Sequence, residues 1–385
     1  MRMYPRISDF INDVFGTSYE WPIMSYGFFL TLAFLLSALV VRSELKRKEN
    51  EGLIVAKQES KKQDGINRFE FFLNLLLGFV LAFKIVFILL NYSLFESDPQ
   101  AVLLSGQGSW PAGILGAIAL GWINWKQQKS ISAKTEIRSI RPHQHTATIV
   151  MIAAISGVIG AKIFHQLENW DTFVQDPIGE LFSFAGLTFY GGLITAAFFV
   201  AWYGEKQGIS WRHLGDAVAP ALILAYGIGR IGCQIAGDGD WGIVNNASMP
   251  DWLTFLPQWI WAYDYPNNVL GEGIRMAGCE GPYCFRLADP VFPTPIYETS
   301  MSLIIFGGLL LLRKVIHIPG QLFAVYLVFN GIERGLIEQI RVNNLMNFLG
   351  MEITQAQLIS SILILLGVTL FFCFRFFPLK VKHQK

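Results

Sequence analysis

The sequence predicts an all-α polytopic membrane protein. Three observations lead to this fold class: 52% of the 385 residues are hydrophobic, only 15% are charged, and the mean hydropathy is +0.41. Soluble domains carry about 25% charged residues, so this chain has too little charge for a soluble surface. The balance of 30 Lys+Arg against 29 Asp+Glu argues against nucleic acid as a partner, because a nucleic-acid binder has a basic excess.

About nine segments are apolar enough to cross a bilayer, which takes roughly 20 mostly apolar residues. Continuous apolar runs such as Phe71 to Leu90 exclude the alternating strands of an outer-membrane barrel. The predicted spans begin near Trp21, Phe69, Trp110, Thr146, Gly186, Asp216, Pro295, Gln321 and Ala356.

Lysine and arginine occur in alternate loops between these spans. The loop from Arg42 to Arg68 is rich in both, the loop from Ser93 to Ser109 has none, and Lys380, Lys382 and Lys385 end the chain. The positive-inside rule therefore predicts an outside N-terminus and a cytoplasmic C-terminus, which needs an odd number of spans. Residues 237–294 are too polar to span and too long for a bare connection, so they are predicted to form a small external head.

Ionisable and tyrosine side chains within the spans gather at one depth. Such groups are costly in a membrane and indicate a functional site. With this topology, one set lies in the outer half: Tyr26, Lys84, Lys162, Tyr190, Arg230, Tyr297, Glu298, Arg334 and Glu338. Asp216 falls at the inner face, where we expect it to cap the helix that begins there. A site open to the outer leaflet is therefore predicted.

The arginines of this set favour an anionic ligand. Arg334 and Glu338 are four residues apart and share a helix face, with Arg341 one turn further. Guanidinium groups bind phosphate in bidentate geometry, and in the outer leaflet the expected phosphate is a phospholipid headgroup. Structural alternatives stay open: an Arg334–Glu338 ion pair, snorkelling of Lys84, and an aromatic-belt role for Tyr26.

Two glycine patterns, at 227–232 and 237–242, match G-x-G-x-x-G. Neither follows a predicted strand of a βαβ unit, so neither indicates dinucleotide binding. Asp238 and Asp240 lack the rest of an EF-hand loop, and we expect neither a metal nor a cofactor. Cys279 and Cys284 both fall in the predicted external head, where an oxidising exterior permits a disulfide.

The stretch from Asp216 to Gly242 resembles the signature region of the prolipoprotein diacylglyceryl transferase family: an acid, a proline, G-R-hydrophobic-G, a polar turn and W-G. Four further motifs resemble the family in the same order along the chain: Tyr26-Gly27, Leu187 to Leu193 (LTFYGGL), Pro293 through Tyr297-Glu298, and Arg334-x-x-x-Glu338.

The resemblance implies transfer of a diacylglyceryl group from phosphatidylglycerol to the lipobox cysteine of prolipoprotein signal peptides, with release of glycerol phosphate. It implies a multi-pass enzyme of the bacterial inner membrane, in contact with membrane lipids, whose active site faces the outer leaflet and periplasm. The implied catalytic residues are Arg230, Arg334, Glu338, Tyr190 and Glu298. The implied substrate-binding residues are Arg230, Tyr26, Tyr297, Gly242 and Asp238.

The chain departs from the family pattern at several points. Tyr190 stands where many members have histidine, and Cys233 and Ala236 stand where asparagines are usual. The acid of the following turn is assigned to Asp238, with one extra residue before the tryptophan. Residues 44–144 look like an insertion that adds two spans to a seven-span core.

The sequence leaves two questions open, the identity of the proton acceptor and the choice between rival functions. Tyr190, Glu298 and Glu338 are all candidates for the group that accepts the thiol proton. The rival functions are a lipid transporter or flippase and a membrane scaffold that binds lipid without turnover. A transporter would need polar groups along a path to both faces, and the inner halves of the predicted spans have few.

Overall fold

The structure, a computed structural model, describes residues 2–21, 23–55, 57–59, 68–97, 102, 105–132, 138–183, 188–342, 345–348 and 351–377. This part of the chain is mostly helical. The helices, numbered in chain order, are α1 (Ile7–Phe15), α2 (Ser25–Asn50), α3 (Arg68–Leu90), α4 (Tyr92–Ser97), α5 (Trp110–Ser132), α6 (Thr146–Glu168), α7 (Trp170–Gln175), α8 (Pro177–Phe182), α9 (Phe189–Lys206), α10 (Trp211–Ala236), α11 (Thr294–Leu312), α12 (Gln321–Ile337) and α13 (Gln355–Phe376).

Several of these helices are suited to a bilayer. In the described ranges, five helical segments are long and apolar enough to cross a membrane: α2, Pro142–Glu168 including α6, α10, α11 and α13. A shorter apolar stretch, Asn74–Leu90, lies within α3. The chain is therefore a polytopic, mostly helical membrane protein. The predicted loop lysines Lys380, Lys382 and Lys385 lie outside the described residues.

Short antiparallel strand pairs connect some of the helices. They are β1 (Lys57–Glu59) with β2 (Arg138–Ile140), β3 (Ile274–Arg275) with β4 (Phe285–Arg286), and β5 (Leu345–Phe348) with β6 (Met351–Thr354). Thr354 ends β6 and caps α13, because its hydroxyl accepts the Gln357 N–H at 3.1 Å. The strands are too short to change the helical class.

The chain divides into two compact units, of which the first comprises Met1–Val55, Pro142–Val150 and Val200–Lys385. In this unit α10 packs against α2, α11 and α12, and α13 packs against α12. Two apolar clusters fill the contacts. One surrounds Leu45 and Leu214, and the other surrounds Ile223, Leu309 and Leu322. The central position of α10 explains its high buried fraction.

The second unit comprises Ala56–Arg141 and Met151–Phe199. Within it, α3 packs on α5 where Gly78 faces Gly116, and a Cβ at either position would overlap the other backbone. The two amines that the sequence placed at site depth here are held by backbone oxygens. Lys84 Nζ donates to the carbonyls of Val102 at 2.8 Å and Gln107 at 3.0 Å, and Lys162 Nζ donates to that of Ser183 at 2.9 Å.

The segment between α10 and α11, residues 237–293, folds into a small head of turns, 3₁₀ helices and the β3–β4 pair. Tyr263, Tyr265, Val291 and Met3 form its core. The Tyr265 hydroxyl donates to Gln234 Oε1 of α10 at 2.8 Å, which ties the head to that helix. The disulfide that the sequence permits between Cys279 and Cys284 is present.

The predicted role of Asp216 as the cap of its own helix is wrong. Helix α10 begins at Trp211, so Asp216 already lies inside it. Its carboxylate instead accepts the N–H groups of Gly320 at 2.9 Å and Phe323 at 3.0 Å, at the start of α12, and pairs with Lys48 Nζ at 3.3 Å. Asp216 is thus a cap supplied to a neighbouring helix.

We predict that Asp216→Ala lowers the free energy of unfolding by about 3 kcal/mol, because it leaves the buried Lys48 ammonium and two backbone donors unpaired. Thermal unfolding in detergent micelles measures the loss. Asp171→Ala, at an exposed position on α7, is the matched control and should leave the unfolding temperature unchanged. Equal unfolding temperatures for the two variants would contradict the capping role.

Candidate active site

Charged side chains from three helices and two connecting segments meet at one end of the first unit. The C-terminal part of α10, the first turns of α11 and the end of α12 contribute one residue each. The head segment contributes an acid, and the residues after α12 contribute an acid and a base. The members of this arginine–carboxylate cluster are Arg230, Asp240, Glu298, Arg334, Glu338 and Arg341.

The backbone around Gly242 brings the two connecting segments together. Helix α10 ends at Ala236 and is capped by Gly237, which has a left-handed φ of 63° and donates its N–H to the Cys233 carbonyl at 2.9 Å. Five residues later, Gly242 forms a bridge with Arg341. A Cβ at Gly242 would lie 3.0 Å from the Phe292 Cβ and would overlap the Ile340 carbonyl oxygen. Only glycine permits this approach, which brings Asp240 and Arg341 within reach of each other.

Arg230 is paired with two acids. Its guanidinium contacts the Asp240 carboxylate through Nη1, and its Nε lies 3.0 Å from Glu298 Oε2. The second contact is an ion pair without hydrogen-bond alignment. The guanidinium also lies over the ring of Tyr226, with its carbon 5.0 Å from the ring centroid, a favourable cation–π arrangement. Two carboxylates and the face of one aromatic ring therefore hold the Arg230 guanidinium in place.

Glu298 is the common partner of the three arginines. Its side chain is fully buried, and its Oε1 lies 3.6 Å from Arg334 Nη1 and 3.5 Å from Arg341 Nη1. The same oxygen accepts the Tyr226 hydroxyl at 2.8 Å. A buried carboxylate needs such compensation, and here the compensation fixes the directions of three guanidinium groups.

Arg334 also pairs with Glu338, as the spacing predicts, at 3.3 Å between Nη2 and Oε2. The Glu338 side chain is buried. Neither of its carboxylate oxygens accepts a hydrogen bond from any residue that the structure describes. Glu338 is thus the cluster acid with the largest unused accepting capacity.

The acid that contacts the arginines from the turn after α10 is Asp240, two residues after Asp238, which the sequence analysis matched to the acid of the family's turn. Burial opposes ionisation of Asp240, but the guanidinium groups of Arg230 and Arg341 overcome it and hold the pKa of that carboxyl below its ordinary value. Asp238 is also partly buried, and burial together with the neighbouring Asp240 charge raises its pKa. The two aspartates are therefore electrostatically different.

The thiol of Cys233 lies beside these aspartates, and the ligand atoms of Cys233, Asp238 and Asp240 lie within 4.8 Å of one another. This donor set resembles a metal site, but Asp240 is engaged by two guanidinium groups. A carboxylate in that state is a poor metal ligand.

The remaining predicted site residues have separate environments. Tyr26 is 43% exposed in the first turn of α2, at the point where α2 crosses Gly232. The Tyr297 hydroxyl donates to the Ile260 carbonyl at 2.7 Å and holds the head against α11. Tyr190 lies at the start of α9, in the second unit, with its ring against Phe189. Leu187 of the LTFYGGL motif lies outside the described residues.

Sequence reasoning missed three cluster contacts. It gave no role to Asp240 as the partner of Arg230, to Tyr226 or to Glu333. The position of Tyr226 four residues before Arg230 was a usable signal, because residues at that spacing share a helix face. Glu333 precedes Arg334 directly, and the sequence carries no sign of which way it faces.

We predict that Asp240→Asn lowers the unfolding temperature at neutral pH, and that this difference disappears in acid. The pKa of Asp240 is lower in the folded protein than its ordinary 3.8. Its contribution to stability is therefore complete above about pH 4 and is lost as the pH falls through the folded value. Thermal unfolding of both proteins over a pH series measures this, with the exposed head residue Asp289, as Asp289→Asn, for control. A difference that persists unchanged in acid would contradict the assignment.

The sequence that forms this cluster is similar to those of known proteins. The sequence model of the prolipoprotein diacylglyceryl transferase family matches residues 113–373, a range that includes the whole cluster. Three relatives are each named phosphatidylglycerol–prolipoprotein diacylglyceryl transferase. That of Staphylococcus saprophyticus is 31% identical over 245 residues, 62% of this chain and 77% of the relative. That of Dehalococcoides mccartyi is 28% identical over 261 residues, which cover 67% of this chain and 85% of the relative.

The relative from Leptospira interrogans is 26% identical over 295 residues, which cover 64% of this chain and 82% of the relative. The family match covers more than half of the chain and contains Arg230, Glu298 and Arg334 in the contacts described above. The chain belongs to the prolipoprotein diacylglyceryl transferase family.

Proposed function

We propose that this protein transfers the diacylglyceryl group of phosphatidylglycerol to the lipobox cysteine thiol of prolipoprotein signal peptides. The products are a thioether-linked lipoprotein precursor and glycerol phosphate. The relatives carry both substrates in their names. The observation that carries the proposal is the convergence of three guanidinium groups on the buried Glu298 carboxylate, because these groups can exchange that carboxylate for a phosphodiester.

Charge balance supports this exchange. Three arginines face three carboxylates in the cluster, those of Asp240, Glu298 and Glu338. A buried guanidinium needs an anion, and the acids supply one in the absence of lipid. The phosphodiester of phosphatidylglycerol carries one negative charge and accepts bidentate hydrogen bonds from arginine. We infer that it displaces carboxylate contacts from Arg230 and Arg334 as it binds.

The chemical step is a displacement at the glyceryl carbon that bears the phosphate. The substrate thiol loses its proton, because the thiolate is the nucleophile, and its sulfur forms a bond to that carbon. The carbon–oxygen bond to phosphate breaks, and its electron pair leaves with glycerol phosphate. Arg230 and Arg334 stabilise the charge that develops on the leaving phosphate.

A carboxylate or phenolate must accept the thiol proton. Of the three candidates, Glu298 already contacts three arginines and a tyrosine hydroxyl, which makes it a weak base. Glu338 has one arginine partner and unused accepting oxygens. We therefore favour Glu338 over Glu298, and Tyr190 stays a candidate on the basis of the sequence alone.

The other predicted residues have supporting roles in this proposal. Tyr26, at the start of α2, interacts electrostatically with Arg230 and Asp238, and we assign Tyr26 and Asp238 to the edge of the substrate site. Gly242 and Tyr297 support the site through the backbone bridge to Arg341 and the contact with the head. The head, residues 237–293, then receives the signal-peptide segment.

We further propose nine spans, an outside N-terminus and a cytoplasmic C-terminus, in the bacterial inner membrane. Nine helices of 17 to 26 residues in the described ranges correspond to the nine predicted spans. In this topology the arginine–carboxylate cluster faces the outer leaflet and the periplasm. Residues 44–144 are an insertion carrying two spans, and the family match begins within that stretch, at residue 113.

The proposal is tested with purified full-length protein, phosphatidylglycerol and a lipobox peptide, by reading peptide mass and released glycerol phosphate. We predict a diacylglyceryl mass gain that is absent with a Cys→Ser peptide. Phospholipid binding without any mass gain would overturn the transferase proposal and favour the flippase or scaffold alternatives.

A charge-conserving substitution tests the role of Arg230. We predict that Arg230→Lys lowers kcat/KM by at least about 100-fold, because an ammonium group cannot reproduce bidentate phosphate binding. The matched control is Arg313→Lys. Arg313 pairs with the buried Glu44 about 22 Å along α11 from Glu298. Arg313→Lys should keep at least about half of the activity. Equal activity of the two variants would show that a positive charge is all that Arg230 supplies.

A further inference from the structure

Glu333 is a buried acid that the mechanism above does not use. It lies on α12 directly before Arg334, so its side chain leaves the helix about 100° away from that of Arg334. Its relative exposure is 2%, and its Oε2 has no hydrogen-bond partner among the described residues. In the same ranges no lysine or arginine nitrogen lies within ion-pair distance of Glu333. A carboxylate there would be a buried charge without a cation in direct contact, which is strongly unfavourable.

Tyr226 connects this acid to the arginine–carboxylate cluster. Its hydroxyl oxygen lies 2.8 Å from Glu298 Oε1 and 3.5 Å from Glu333 Oε1. A phenol has one proton to donate. Because three guanidinium groups surround Glu298, Glu298 is the ionised acid and receives that proton. When Glu333 is neutral, its carboxyl O–H can donate a hydrogen bond to the Tyr226 oxygen, which completes a hydrogen-bonded chain from Glu333 through Tyr226 to Glu298.

We propose that Glu333 is a positioning residue for the transfer reaction: as a neutral acid it donates to Tyr226, which donates to Glu298, and this chain sets the positions of Glu298 and Arg230 before the phosphodiester binds. The inference rests on the proposed function. Tyr226 acts on Arg230 by two routes, because its ring also lies beneath the guanidinium group, 5.0 Å from the centroid. A shift of this ring therefore moves the phosphate-binding group itself.

The charged and titratable groups around Glu333 determine how the Glu333–Tyr226–Glu298 chain responds to pH. The titratable groups that interact with Glu333 electrostatically are Tyr226 and Arg230 on α10, Glu298 on α11, and Tyr326 and Arg334 on α12. Loss of the Glu333 proton places a second negative charge beside Glu298 and removes the donor to Tyr226. Rising pH therefore breaks the Glu333–Tyr226–Glu298 chain.

The test compares Glu333→Gln with Glu333→Leu in the phosphatidylglycerol and lipobox-peptide assay. The glutamine amide can donate to the Tyr226 oxygen as the neutral acid does, whereas leucine cannot. We expect Glu333→Gln to keep kcat within about 3-fold of the wild type, and Glu333→Leu to lower it at least about 10-fold. Wild-type kcat retained by Glu333→Leu would overturn the proposal. Equal losses in both variants would also overturn it, because they would show that the negative charge is needed.

The pH profile gives a second readout that does not depend on the leucine variant folding. The ratio of kcat for Glu333→Gln to that for the wild type should rise as the pH increases, because the amide keeps its proton. The peptide thiol titrates identically in both assays and cancels from the ratio. A ratio that stays constant or falls would contradict a neutral Glu333.

A double-mutant cycle tests whether Glu333 acts through Tyr226. Tyr226→Phe and the double variant Tyr226→Phe/Glu333→Leu should have the same kcat within about 2-fold, because the link is already broken in the single variant. Additive losses would show that Glu333 acts by another route and would overturn the proposal. Transfer by the wild-type enzyme in the same assay is measured first, and its absence would refute the proposed function rather than the role of Glu333.

Discussion

The pairing of the half-buried Arg230 guanidinium with carboxylates is the interaction on which the rest of the site depends. A guanidinium at this position needs anions on its open sides, and the fold supplies Asp240 from the head and Glu298 from α11. Asp240 in turn pairs with Arg341, and Glu298 pairs with Arg334. The result is a cluster whose charges balance without substrate, and in which an incoming phosphodiester can replace a carboxylate.

The fold meets this requirement by close backbone approach. Gly242 allows the segment after α10 to lie against the residues after α12, which brings Asp240 and Arg341 together. At the opposite end of α10, Asp216 caps α12 and pairs with Lys48. The same helix is therefore fixed to its neighbours by charged contacts at both ends, and apolar packing around Ile223 and Leu309 fills the length between them.

The helical class and the Arg334–Glu338 pair could be predicted because both depend on spacing along one helix. Other contacts depend on conformations that spacing does not encode. Gly237 and Gly239, both with positive φ, determine that the turn after α10 directs Asp240 rather than Asp238 toward the arginines. The contact between Tyr226 and Glu333 depends on how α10 and α12 are rotated about their axes, and the cap that Asp216 gives to α12 depends on the packing of the same two helices.

The most direct test of the central claim is an experimental structure of the full chain with phosphatidylglycerol bound. We predict that the lipid phosphate contacts the guanidinium groups of Arg230 and Arg334, and that Arg230 loses at least one of the carboxylate contacts, with Asp240 or with Glu298, that it makes in the lipid-free protein. A bound lipid whose phosphate lies elsewhere, with the Arg230–Asp240 and Arg230–Glu298 contacts intact, would contradict it.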